Sequence, residues 1–207
     1  MASCDLEMLR REIIRLEETR RGDGREVVST GCGPLDELLP EGGMRRGTLA
    51  EWFAAGDGTG SGTLALLCAR EACRDGGALI VLDCRREFYP PSAVRLGIAL
   101  EQLIVVRAGN AAANLWALDQ ALRCRAVAAV LAWPEKLDGR VFRRLQLAAE
   151  EGGGLGLLIR SDAARYDPSW ADVRILVEPL PPTSLRNARR RLRLGLTRSA
   201  EREEYNT

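Results

Sequence analysis

The residues most able to do chemistry are Ala54-Ala55-Gly56-Asp57-Gly58-Thr59-Gly60-Ser61-Gly62-Thr63, with glycine at every second position from 56 to 62. An apolar run precedes them and a helix-forming run follows, which is the context of a phosphate-binding loop. Glycines let backbone N–H groups converge on an anion, and a helix N-terminus adds its dipole. The pattern for that chemistry is G-x-x-x-x-G-K-[ST]. Counted from Gly56, Ser61 falls at the second Gly, Gly62 at the Lys and Thr63 at the hydroxyl; with Gly60 as the second Gly, Ser61 falls at the Lys. Neither register supplies a lysine. That lysine bridges the β- and γ-phosphates and neutralises charge during phosphoryl transfer. A loop of bare amides holds phosphate weakly and is not expected to hydrolyse it efficiently. Three readings of residues 56–63 stand: a tight glycine turn that the sheet needs, a weak nucleotide site, and an ATPase.

Composition narrows the field further. The 207 residues carry a net charge of +1, no His and a single Lys, Lys136. Without His there is no Ser-His-Asp triad, no Cys-His dyad and no His-ligated zinc. The balanced charge offers no global basic field for nucleic acid. Cys4, Cys32, Cys68, Cys73, Cys84 and Cys124 form no C-x-x-C, so neither a zinc ribbon nor a thioredoxin-type motif is present. Four of the six lie beside apolar residues and are expected to be buried thiols. The N-terminus is charged, and no stretch approaches the roughly 20 apolar residues of a membrane span. A reducing cytoplasm is the expected location.

The elements that would position the loop are legible from periodicity. Thr48–Phe53, Ala78–Leu82, Leu103–Val106, Ala126–Ala132 and Leu155–Ile159 are apolar strands. Thr63–Arg74, Ser92–Leu96, Asn110–Arg123 and Asp138–Glu151 alternate with them as helices. This is the pattern of an α/β fold, a mostly parallel sheet with helices on both faces. Val173–Val177 and Arg190–Thr197 alternate apolar with charged residues, which predicts half-exposed strands and an antiparallel hairpin at the C-terminal edge. Residues 1–22 hold an amphipathic helix with an apolar seam of Leu6, Leu9, Ile13 and Leu16, and Gly22-Asp23-Gly24 ends it. That helix either docks on its own domain or binds a partner. The body spans 27–199, and 200–207 is a tail.

Other side chains offer further contacts. Arg186, Arg189, Arg190, Arg191, Arg193 and Arg198 form the densest basic run, without an acid between them. They would meet DNA phosphates or an acidic partner, or else protect an edge strand from aggregation. Trp52 and Trp116 lie in apolar periodic contexts and are expected in the core. Trp133 follows a strand at the rim where α/β proteins bind ligands, and would plug the space of a nucleotide or magnesium ion. Lys136 and Arg85-Arg86 lie in loops expected to be exposed, although either could bring charge to a phosphate.

Val28-Ser29-Thr30-Gly31, Leu35-Asp36, Gly42-Gly43-Met44, Arg46-Gly47 and Glu51 resemble the segment that leads into the phosphate loop of bacterial RecA. Leu82-Asp83, Pro90, Ala93, Arg95-Leu96-Gly97 and Leu103 continue the likeness, which covers about residues 27–160. The resemblance implies a RecA-like P-loop NTPase fold. It also implies a catalytic Glu two residues after Asp83, where Arg85 stands, and a magnesium-supporting Asp after Leu131, where Ala132-Trp133 stands. With the lysine, three parts of the ATPase are missing together.

Leu115-Trp116-Ala117-Leu118-Asp119-Gln120-Ala121-Leu122-Arg123, Ala129-Val130-Leu131-Ala132-Trp133 and Arg143-Arg144-Leu145-Gln146-Leu147-Ala148-Ala149-Glu150 are similar to the ImuA family. That resemblance implies a non-catalytic accessory protein of the SOS response and translesion synthesis. It would work beside an inactive Y-family polymerase homologue of the ImuB type and in contact with RecA. No cofactor is expected, with ATP and magnesium weakly bound at most, and single-stranded DNA is an additional candidate partner. The alternatives are a divergent single-stranded-DNA-dependent RecA-type ATPase or recombinase, and a division inhibitor of the SulA type.

Overall fold

The computed structural model describes residues 26–56, 58–180 and 191–197. The helix at 1–22 and the tail at 200–207 therefore lie outside the described residues. A small antiparallel ribbon comes first, β1 (Val27–Val28) against β2 (Met44–Arg45). Between them one helical turn, α1 (Gly33–Asp36), is clasped by its last residue. The Asp36 carboxylate accepts from the Thr30 amide (2.8 Å), the Thr30 hydroxyl (2.6 Å) and the Ser29 hydroxyl (2.6 Å). The Ser-Thr-Gly…Leu-Asp string is thus a structural fastening.

The main sheet contains β3 (Leu49–Ala54), β4 (Ala78–Leu82), β5 (Leu103–Val106), β6 (Val127–Ala132), β7 (Leu155–Ser161), β8 (Val173–Leu180) and β9 (Arg191–Leu196). Their spatial order is β5-β4-β6-β7-β3-β8-β9. Every neighbouring pair is parallel except β8 with β9. The expected mostly parallel sheet with an antiparallel edge is therefore present.

Side chains alternate across the sheet, so each central strand feeds two cores. Leu79, Val81, Leu157 and Ile159 pack beneath α2 (Ser61–Ala72), against its Leu64, Ala65, Cys68 and Ala69. Ile80, Leu82, Val130 and Leu158 face α4 (Ala111–Arg123) and α5 (Gly139–Gly152), meeting Leu118, Leu122, Phe142 and Leu145. Burying each of the leucine, isoleucine, valine and phenylalanine side chains contributes about 1.5–3 kcal/mol. A short α3 (Pro90–Arg95) follows β4, its Pro-Pro start suited to a first helical turn. Asn110 caps α4 by accepting from the Ala113 amide at 2.8 Å, and Asp138 caps α5 through Val141 at 2.8 Å.

Several expectations need correction. Trp116 is 66% exposed, not in the core, because Leu118 and Leu122, flanked by half-buried Leu115, already form the core stripe of α4. Trp52 is fully buried as expected. Of the five described cysteines only Cys68 and Cys73 are buried; Cys84 and Cys124 are exposed and Cys32 is half-buried. Burial, reinforced by Asp36 and Glu71, pushes the Cys68 thiol up to about 12, so it is inert at neutral pH. Strand β8 is not half-exposed over its first residues, because Arg174 is buried beside Ile175 and Val177. No helix among the described residues is long and apolar enough to cross a membrane.

Candidate functional site

The C-terminal ends of β3, β4, β6 and β7 meet at one rim of the sheet, the place where α/β folds bind ligands. The glycine loop leaves β3 there and enters α2. Gly58 (φ +71°) and Gly60 (φ +99°) adopt left-handed conformations that other residues rarely tolerate. Helix α2 starts at Ser61, two residues earlier than periodicity indicates, with Gly60 as its N-cap and no side-chain cap. Its leading amides point out of the helix end, as the geometry of any helix N-terminus requires. Thr59 and Ser61 are buried, their hydroxyls 3.4 Å apart. Asp57 lies outside the described residues.

A cavity of about 480 Å³ opens against Gly56, Gly58, Thr59, Gly60, Ser61, Gly62 and Thr63. Its other walls come from distant sequence: Arg85 after β4, Trp133, Pro134 and Glu135 after β6, and Ile159, Arg160 and Ser161 at the end of β7. Trp133 is thus beside the loop, but it forms a wall and leaves the space open. It stacks obliquely on Phe88, with ring centroids 6.5 Å apart at 49°. A second cavity of about 350 Å³ adjoins through Gly62, Thr63, Arg85 and Trp133. The Arg85 guanidinium donates to Glu135 at 2.8 Å, and this hydrogen bond raises its pKa further above the ordinary arginine value. Lys136 is exposed and is not among the residues that line the cavity.

Among the described residues, the ends of β4 and β6 offer no free carboxylate for a magnesium ion. Strand β6 ends on Ala132 without a carboxylate. Asp83, at the end of β4, is 3% exposed and already engaged. It accepts from the Glu87 amide (2.9 Å), the Phe88 amide (3.3 Å) and Arg107 Nε (3.2 Å), which folds the following turn. The loop itself brings no cation.

Behind the cavity lies a buried charge network that periodicity does not disclose. Glu51, fully buried in β3, accepts from Arg160 at 2.7 Å, from Arg174 at 2.8 Å and from the Ser169 hydroxyl at 2.7 Å. Arg160 also pairs with Asp167 at 2.9 Å, and Arg174 lies over the Phe53 ring at 4.9 Å. The network joins β3, β7 and β8 on the face opposite α2. Arg160 and Glu135 are the site residues that reading the sequence misses. The available signal was a charge at the C-terminal end of an apolar strand.

Of the basic run, Arg191 and Arg193 are exposed on β9, with Arg193 3.7 Å from Glu178. Arg186, Arg189, Arg190 and Arg198 lie outside the described residues, as do Leu6, Leu9, Ile13 and Leu16. Strand β9 reaches the loop through Leu192, whose Cδ1 would lie 3.1 Å from a Cβ at Gly60. The structure brings the glycine loop, Arg85 and Trp133 together, and places the exposed arginines on the outermost strand.

A family model agrees with this architecture. The model of the RecA N-terminal domain matches residues 2–132. Protein ImuA of Caulobacter vibrioides (strain NA1000 / CB15N) is 36% identical over 138 residues, covering 64% of this chain and 57% of that protein. The chain thus corresponds to just over half the length of that relative. Protein RecA of Laribacter hongkongensis (strain HLHK9) is 34% identical over 93 residues, covering 45% of this chain and 26% of RecA. The crystal structure of SulA from Pseudomonas aeruginosa matches with a TM-score of 0.48 and 25% identity, covering 55% of this chain and 97% of that one.

Proposed function

The chain belongs to the RecA N-terminal domain family, and from that premise we propose that it is a non-catalytic accessory protein of DNA-damage tolerance and translesion synthesis. It acts in the cytoplasm through contacts with an inactive Y-family polymerase homologue of the ImuB type and with RecA. The observation that carries the reading is the coincidence of losses around an open cavity. The loop has no lysine, Arg85 stands where the family's Glu would act, and β6 ends on Ala132. Each loss removes a separate requirement of phosphoryl transfer. Their joint absence beside a RecA-like sheet and loop supports a protein that keeps its binding faces and has given up turnover. The similarity to ImuA supports the choice of pathway.

The candidate contact surfaces come from the amphipathic and charge patterns of the sequence. The seam of Leu6, Leu9, Ile13 and Leu16 is our candidate for the polymerase homologue or RecA. The arginines of the C-terminal hairpin are our candidate for an acidic partner surface or single-stranded DNA. The test is affinity capture of the tagged full chain from cells exposed to a DNA-damaging agent. Recovery of RecA and the polymerase homologue is expected. Deleting residues 1–22 is expected to reduce that recovery several-fold while the thermal midpoint stays that of the full chain. Unchanged recovery would remove the helix from the account, and absence of both partners from the full-chain capture would overturn the reading.

A further inference from the structure

Helix α5 carries its charges against its own dipole. Acids stabilise a helix near its N-terminus and cations near its C-terminus. In α5, Arg140, Arg143 and Arg144 occupy the first two turns, Glu150 and Glu151 the last, and no basic residue stands in the last turn. The Asp138 carboxylate at the N-cap is taken by the Val141 amide at 2.8 Å. A local rule broken in this way marks a surface held for something other than stability.

The acidic end of α5 is satisfied within the domain. Glu151 pairs with Arg123, and Glu150 accepts from the Gln146 side-chain amide at 2.8 Å. At the basic end, Arg144 reaches Asp119 at 3.2 Å, but among the described residues Arg140 and Arg143 form no ion pair. Arg140 is exposed, and Arg143 donates to the Gln146 carbonyl.

Trp170 is a second, independent feature. It stands before β8, and the Arg143 guanidinium lies 5.0 Å over its ring. Its indole nitrogen would be 4.0 Å from a Cβ at Gly139, so the ring borders the first turn of α5. Trp170 is 45% exposed, and Leu147, further along the helix, is 42% exposed. Positions 140, 144, 147 and 151 share one stripe of a helix. Cations beside an exposed indole thus lead to an apolar residue and then to an acid that is already paired.

We propose that this face of α5, with Trp170, docks an acidic segment of a partner protein. Carboxylates of that segment meet Arg140 and Arg143, and an apolar side chain covers Trp170 and Leu147. Tryptophan and arginine are the residue types that most often carry interface energy. The surface is separate from the terminal helix and the hairpin arginines named above. A nucleic-acid strand fits it less well. Arg143 covers a face of the indole on which a base would stack, and a phosphate chain following the helix would run onto Glu150 and Glu151.

The test is panning of a displayed random-peptide library on the full chain, then fluorescence anisotropy with synthetic peptides of the enriched sequence. Enrichment of acidic residues adjoining a leucine or an aromatic is expected. Trp170→Ala should weaken binding about thirtyfold and Arg140→Glu about tenfold. Arg191→Glu, on the exposed face of β9, should leave binding unchanged. Arg140→Glu also replaces a charge that opposes the dipole, so its thermal midpoint should rise by about 1–4 °C while binding falls. No acidic-apolar enrichment, or affinity indifferent to Trp170→Ala and Arg140→Glu, overturns the proposal. A midpoint lowered by Arg140→Glu makes that arginine structural and overturns it too. Oligothymidylate binding that Arg140→Glu abolishes, without peptide binding, assigns the face to nucleic acid instead. Peptide binding that appears only after residues 1–22 are deleted assigns it to the chain's own helix; either result overturns the partner segment.

Discussion

Replacing Glu51 by leucine is expected to destabilise the domain by about 3–5 kcal/mol, the cost of stranding buried charge. Two arginines, Arg160 and Arg174, share this one carboxylate, and all three side chains are at most 2% exposed. Removing the carboxylate costs Arg174 its 2.8 Å ion pair, while its hydrogen bonds to the Ala164 and Asp167 carbonyls remain. Arg160 would keep Asp167, which is half exposed and therefore a weaker partner. A domain of ordinary stability has about 5–15 kcal/mol in total, so the loss shows directly in a urea midpoint. The triple change Glu51→Leu, Arg160→Met, Arg174→Met removes the charges together and should recover at least half of it, since well-packed apolar replacements of buried ion networks are often neutral. A single variant within about 1 kcal/mol of wild type would show the network to be dispensable.

Gly152→Ala should be the most damaging of the glycine substitutions, at about 3 kcal/mol. Gly152 ends α5 against the end of α4, and an added Cβ would lie 1.9 Å from the Leu122 carbonyl oxygen and 3.0 Å from the Arg123 carbonyl carbon. Both are backbone atoms, so relief requires moving a helix. Its neighbour Gly153 has the opposite problem: a left-handed φ of +80° with nothing within 4 Å of its Cβ position. Alanine there costs only the conformational penalty, about 1–2 kcal/mol. Urea unfolding of the two variants side by side decides the matter. The ranking with Gly152→Ala worse is expected, and the reverse would mean that α4 and α5 separate easily.

The framework was legible in the sequence because its signals are local. Leu79 and Val81 face one core and Ile80 and Leu82 the other, so a continuous apolar run is the correct signature of a strand buried on both faces. The glycine loop announced itself through the φ values that Gly58 and Gly60 adopt. Trp116 was misread because it adjoins Leu115 in an apolar run, whereas helical geometry turns consecutive residues about 100° apart. Glu51, Arg160 and Arg174 escaped because charge normally signals exposure, and only the pairing of β3 with both β7 and β8 brings them together. The Arg85–Glu135 pair escaped for the same reason: 50 residues separate partners that adjacent strand ends place side by side.

The central proposal is that this member of the RecA N-terminal domain family does not turn over nucleotide. Its most direct test is phosphate release by the full chain with magnesium and ATP, in the presence of single-stranded DNA, measured beside a Thr63→Ala variant purified identically. The account predicts that the two preparations release phosphate at the same background rate. Turnover by the wild type that Thr63→Ala abolishes would contradict it.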